Sequence, residues 1–136
     1  MSPTSSGSSL PLALDAVVLD CPDVVALSAF YLRLLGWRIR QDSRPDWIDI
    51  VSPAGGVKLA FQRSETYIRP VWPGQTDRQQ QMTHLDFAVR DEAELERAVA
   101  HALDCGATLP ESQFGGALWR TLLDPVGHPF CFVIWQ

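Results

Sequence analysis

His84 and Asp86 stand two positions apart in the apolar segment M-T-H-L-D-F-A-V, residues 82–89. Residues i and i+2 of an extended strand share a face, so this spacing aims an imidazole and a carboxylate the same way. Several chemistries suit such a pair. His84 can serve as a general base, which makes it the catalytic candidate. Both side chains can donate to a divalent ion, or Asp86 can orient the imidazole from behind. A lone histidine at a core edge can also simply bond a backbone carbonyl.

Two more polar positions lie in apolar strands. Gln62 closes V-K-L-A-F-Q, where its neutral amide either meets solvent or bonds a ligand. Cys131 lies in the last apolar run and reads first as a small buried hydrophobe; as a metal ligand it would have to lose its proton. Trp47, Trp72 and Trp119, with Tyr67 and Phe61, are rigid aromatics able to cage a flat apolar guest, whereas Trp37 reads as core. The expected ligand-binding set is Gln62, Trp47, Tyr67, Trp72, Asp86, Trp119 and Cys131. No metal is expected, and His84, Gln62 and Asp86 form the alternative metal set. His128 follows a turn glycine and reads as structural. No Ser-His-Asp spacing, phosphate-cradling glycine loop or Cys-x-x-Cys pair occurs.

The elements that position these residues form a repeat. The first copy starts A-V-V-L-D-C-P-D at residue 16 and runs through a helix to Gly36; the second starts H-L-D-F-A-V-R-D at residue 84 and runs through a helix to Gly106. Internal duplication of this kind dictates architecture. In the first copy a strand over 12–19 is broken by Asp20-Cys21-Pro22-Asp23. A helix follows, capped by Asp20 or Asp23, with Val24, Leu27, Phe30, Tyr31, Leu34 and Leu35 on one face. Strands follow over 37–40, 47–51 and 57–62. In the second copy a strand over 82–89 leads to a helix capped by Asp91 and running through Leu103, with Leu95, Val99, Ala102 and Leu103 facing inward. Strands then fall over 106–109, 118–123 and 128–135, the last two joined by the Asp124-Pro125-Val126-Gly127 turn.

The expected fold class is therefore α+β: two βαβββ repeats, each a small sheet with its helix on one face. The two sheets pair into one curved mixed sheet around a shared cleft. Residues 12–62 form the first repeat, 63–81 a linker rich in Pro, Gln and aromatics, and 82–136 the second, within one domain over 12–136. Residues 1–11, Ser-rich and without Lys or Arg, read as a disordered tail.

An apolar fraction of 46% with 20% charge suits a globular domain, and a net charge of -5 with scattered arginines excludes a nucleic-acid surface. No apolar run approaches the roughly 20 residues of a membrane span. Three widely spaced cysteines suit reduced thiols, so a cytoplasmic location is expected.

Strand-Asp-helix-F-Y-x-x-L-L-G-W in the first repeat and D-P-x-G-x-P-F in the second resemble the vicinal oxygen chelate superfamily, which holds glyoxalases, bleomycin-resistance proteins and extradiol dioxygenases. The residues carrying the likeness are Asp23, Phe30-Tyr31, Leu34 to Trp37, Asp91, Gly106-Ala107 and Asp124 to Phe130. The resemblance implies a divalent ion held by one first-strand and one last-strand side chain from each repeat, positions that here fall on Ala16, Gln62, His84 and Cys131. Ala16 has no donor and Gln62 only a neutral oxygen, so the usual metal site is incomplete.

Two functions follow as expectations. The first is a small-molecule binding protein holding an aromatic or cationic ligand in the inter-repeat cleft without cofactor, as the resemblance to drug-resistance members implies. The second is an enzyme, a lyase, isomerase or dioxygenase-like protein acting on a small oxygenated substrate through His84 or an atypical Zn, Ni, Mn or Fe site. Neither a nucleic acid nor a membrane is an expected partner, and the resemblance implies a homodimer.

Overall fold

The structure, a computed structural model, describes residues 10–40 and 44–134. The tail expected over 1–11 lies outside the described residues up to position 9, as does Trp135 of the last expected strand.

Alternating side chains build the first repeat. In β1 (Ala16–Cys21), Leu19 and Cys21 are buried while Val18 and Asp20 are exposed. The strand therefore runs past the break expected at Asp20, because Asp20 takes an outward position and Cys21 the next inward one. Leu12 and Leu14, expected within this strand, precede it and are exposed. Asp23 caps α1 (Val24–Leu35), accepting from the amides of Val25 and Ala26, and Gly36 ends it at φ 68°, a left-handed conformation that suits glycine. Three strands follow: β2 (Arg38–Ile39), β3 (Trp47–Val51) and β4 (Lys58–Arg63). They form a sheet ordered β1-β4-β3-β2, in which β1 and β4 run parallel.

The second repeat restates this plan in shorter form. It comprises β5 (Leu85–Val89), α2 (Glu92–Cys105), β6 (Trp119–Leu123) and β7 (Pro129–Ile134). Its sheet is ordered β5-β7-β6, again with the first and last strands parallel. The strand expected over 106–109 contracts to a single bridge between Thr108 and Leu123. Pro110 explains the contraction: it lacks an N–H for the ladder and restricts the residue before it. In α2 the inward face is Leu95, Val99, Ala102 and Cys105, and Leu103 is exposed instead.

The repeats meet through their helix sides. Phe30, Tyr31, Phe61 and Phe130 are at most 1% exposed, and burial stabilises each side chain by about 1.5–3 kcal/mol. Tyr31 stacks on Phe61 at 5.5 Å, and Phe30 meets Phe130 of the other repeat at 6.0 Å. Phe61 is thus core and not part of a ligand cage. His101 Nε2 lies 3.0 Å from the Leu34 carbonyl, and Arg33 donates to the Cys105 carbonyl. The strands form two hydrogen-bonded sheets, one per repeat. Among the described residues no helix is long and apolar enough to cross a membrane.

Candidate functional site

The helix-distal face of the second sheet carries the chemistry. Leu85, Phe87 and Val89 of β5 turn toward the core, so alternation sends His84 and Asp86 to the other side. Across the sheet Asp86 pairs with Cys131, and Cys131 with Thr121. His84 Nε2 lies 3.3 Å from Asp86 Oδ1. The ligand atoms of His84, Asp86 and Cys131 all lie within 4.8 Å of one another. Burial raises the Cys131 thiol above its ordinary value; contact with Thr121 Oγ1 at 3.3 Å opposes this, and the nearby Asp86 carboxylate adds to it.

This cluster floors a cavity of about 480 Å³ whose walls include Trp72, Phe114 and Trp119. Trp72 and Phe114 meet edge to face at 5.7 Å. Phe114 rides on a loop pinned to β6 by Gln113, which accepts from the Thr121 amide at 2.9 Å and donates to the Thr121 carbonyl at 2.8 Å. Of the expected site residues, five therefore converge here: His84, Asp86, Cys131, Trp72 and Trp119. Gln81, Gln113, Phe114 and Thr121 were not foreseen. Phe114, a large aromatic in a Gly- and Ser-bearing loop, was the one visible sign.

The other expected residues lie elsewhere. Trp47 and Gln62 pair with each other on the first sheet and line neither of the two described cavities. Tyr67 donates to the Val126 carbonyl at 2.7 Å and lines a second cavity of about 340 Å³, where β1 meets the linker and the start of the second repeat. The aromatic cavity is built from the second repeat and the linker, whereas the second cavity draws residues from both repeats and the linker.

The register also revises the repeat equivalence. Val18 matches Asp86 in the repeat; Val18 pairs with Ala60, and Asp86 with Cys131. The counterpart of Cys131 is therefore Ala60, while Gln62 lies two positions farther on, opposite Asp20. Beside Ala60 stands Asp49, matching Thr121. Asp49 is 2% exposed and takes both carboxylate contacts from Arg40 Nε, at 2.8 and 2.9 Å. An ion pair and Trp47 thus fill in the first repeat what is open in the second. Burial alone would raise the Asp49 carboxyl, but hydrogen bonds from Arg40 and Trp47 hold it below the usual range.

A sequence profile described as the glyoxalase-like domain matches residues 16–133. The chain belongs to the glyoxalase-like family. Solved structures of similar shape come from Burkholderia phytofirmans PsJN, a glyoxalase/bleomycin resistance protein/dioxygenase family enzyme (TM-score 0.68, 21% identity, 89% of this chain and 97% of that one), and from Agrobacterium tumefaciens. The latter include a protein solved in solution (TM-score 0.70, 21% identity, 92% and 98%) and a lactoylglutathione lyase (TM-score 0.62, 16% identity, 91% and 94%). No curated protein matches.

For a glyoxalase-like chain, an ion held between the repeats would need donors from both. Ala16 and Ala60 occupy the first-repeat positions, so that arrangement does not fit these residues. The second repeat alone supplies a nitrogen, an oxygen and a sulfur donor.

Proposed function

We propose that this glyoxalase-like protein binds a small aromatic or cationic molecule against Trp72 and Trp119, over the floor formed by His84, Asp86 and Cys131. The observation that carries this reading is the cavity itself: aromatic walls above a carboxylate, in a volume suited to a small ligand. Indole faces favour flat rings and cations, and Asp86 adds a negative charge. The free, buried thiols of Cys21, Cys105 and Cys131 support a reducing compartment, the cytoplasm. Titration of tryptophan fluorescence with benzyltrimethylammonium tests the reading. Saturable quenching lost in Trp119→Ala supports it, and an unresponsive spectrum at millimolar probe overturns it.

A second reading is favoured by the His84, Asp86 and Cys131 cluster. These residues would hold a divalent ion such as Zn, Ni, Mn or Fe, which when bound would polarise an oxygen of a small substrate. In this reading Asp86 orients the His84 ring, and His84 accepts a proton from the substrate when it is not itself a ligand. Metal analysis of protein purified without a histidine tag decides it. Near-stoichiometric metal lost in His84→Ala supports the metal site, and metal-free protein that takes up none on dialysis rejects it.

A further inference from the structure

The aromatic cavity shares one wall residue with the other cavity. Gln81 lines it and also lines the polar cavity beside Tyr67. The Oε1 atom of Gln81 is buried and receives no hydrogen bond. A buried amide oxygen left without a donor is costly, and turning this amide onto a ligand donor sacrifices no existing hydrogen bond of that oxygen.

The polar cavity has its own chemistry. It is lined by Asp20, Ser64, Thr66, Gln79 and Thr83 among others, and neither cavity has a lysine or arginine among the described residues that line it. Among the described residues the Asp20 side chain makes no hydrogen bond or ion pair, while its backbone carbonyl is engaged by His128 Nε2 at 2.7 Å. Each cavity thus presents one carboxylate, Asp20 in one and Asp86 in the other. The polar cavity is rich in hydrogen-bond acceptors, and the other is rich in aromatic faces.

We infer that the two cavities are the halves of one site, and that its ligand is an aromatic group joined to an amine-bearing chain. The ring lies between Trp72 and Trp119, the chain passes Gln81 and donates to its amide, and the terminal ammonium faces Asp20. This inference rests on the aromatic-cavity reading above and adds the second half of the ligand. Joining two weakly held fragments lets the second bind at high effective concentration, so the joined molecule gains affinity over either part.

Isothermal titration with benzylamine, putrescine and N-benzylputrescine tests the inference on the intact protein. N-benzylputrescine should bind at least about tenfold more tightly than benzylamine. Asp20→Asn should erase that gain while leaving benzylamine unchanged, since benzylamine has no chain to reach Asp20 and, among the described residues, the Asp20 side chain makes no hydrogen bond or ion pair. Gln81→Leu should reduce the gain in the same selective way, and Trp119→Ala should weaken both aromatic probes. If benzylamine binds in a Trp119-dependent manner and the added chain gains nothing, the bipartite site is wrong and the aromatic cavity stands. An equal gain in Asp20→Asn also overturns the bipartite site. If neither aromatic probe binds, both readings fall together.

Discussion

Tyr31 of the first repeat donates its hydroxyl proton to Asp124 of the second at 2.8 Å, with both residues buried. Asp124 also accepts from the amides of Val126 and His128, each at 3.0 Å. One carboxylate therefore fixes the turn before β7 and ties that turn to α1. Burial raises the Asp124 carboxyl above the usual range against these three hydrogen bonds and the nearby His128, and burial likewise raises the Tyr31 hydroxyl. The D-P-x-G motif and the F-Y pair that carried the family likeness thus meet in space.

Tyr31→Phe should therefore destabilise the protein by about 1–3 kcal/mol, because it leaves a buried carboxylate short of a donor. Asp124→Ala should cost more, as it strips acceptors from two backbone amides as well. Urea denaturation measures both. An unchanged midpoint for Tyr31→Phe would mean that the bond does not hold the repeats together.

The Arg40–Asp49 pair gives a pH dependence of known sign. The folded-state value of Asp49 lies below that of an unfolded aspartate, near about 3.9, so its stabilisation is present above about pH 4 and fades as pH falls below it. Arg40 is 39% exposed, which limits the pair to about 1 kcal/mol or less through solvent screening. Wild type should exceed Asp49→Asn in unfolding midpoint at neutral pH, and the difference should shrink in acid. A difference that grows toward acid would reverse the argument.

Both helices, β3 and the repeat itself were legible because each rests on local chemistry, while the cap of α1 stayed open between Asp20 and Asp23 until the structure placed Asp23 there. Asp23 and Asp91 cap, Gly36 and Gly106 terminate, and hydrophobic spacing marks the inner faces. Part of the site was legible where residues alternate in register with an identifiable core strand, while Trp72 of the linker was anticipated from its residue type alone. His84, Asp86 and Cys131 follow from β5 and β7. Gln62 was misplaced as the partner of Cys131 because equivalence at the end of β4 depends on sheet register, and register is set by pairing between distant strands. Gln81 and Phe114 lie in segments without periodicity, and only tertiary packing brings them to the cavity.

Thiol labelling separates the cavity from the core. Burial pushes Cys21 up to about 11 and also raises Cys131, so both should react slowly with iodoacetamide at neutral pH and faster in alkali. Cys131 lines the aromatic cavity and Cys21 faces the core. Benzyltrimethylammonium should therefore slow labelling of Cys131 severalfold without changing Cys21, as mass spectrometry of the digested protein would read. Equal protection of both would indicate global stabilisation instead of occupancy.

Gly115 offers a test of the cavity that touches none of its polar groups. A Cβ at this position would run into both the Trp119 ring and the Trp119 backbone carbonyl, so the ring lies directly against the glycine. The backbone contact cannot be relieved by a rotamer change alone, and Gly115→Ala must shift the loop, the start of β6, or both. Trp119 should then leave its place in the cavity wall, weakening an aromatic probe about tenfold or more, while the Tyr31–Asp124 link remains intact. Stability should fall by only about 1–3 kcal/mol, the usual scale for local overpacking. Parallel titration and urea denaturation distinguish the outcomes. Undiminished probe affinity in a folded Gly115→Ala protein would show that the Trp119 ring does not form the binding surface.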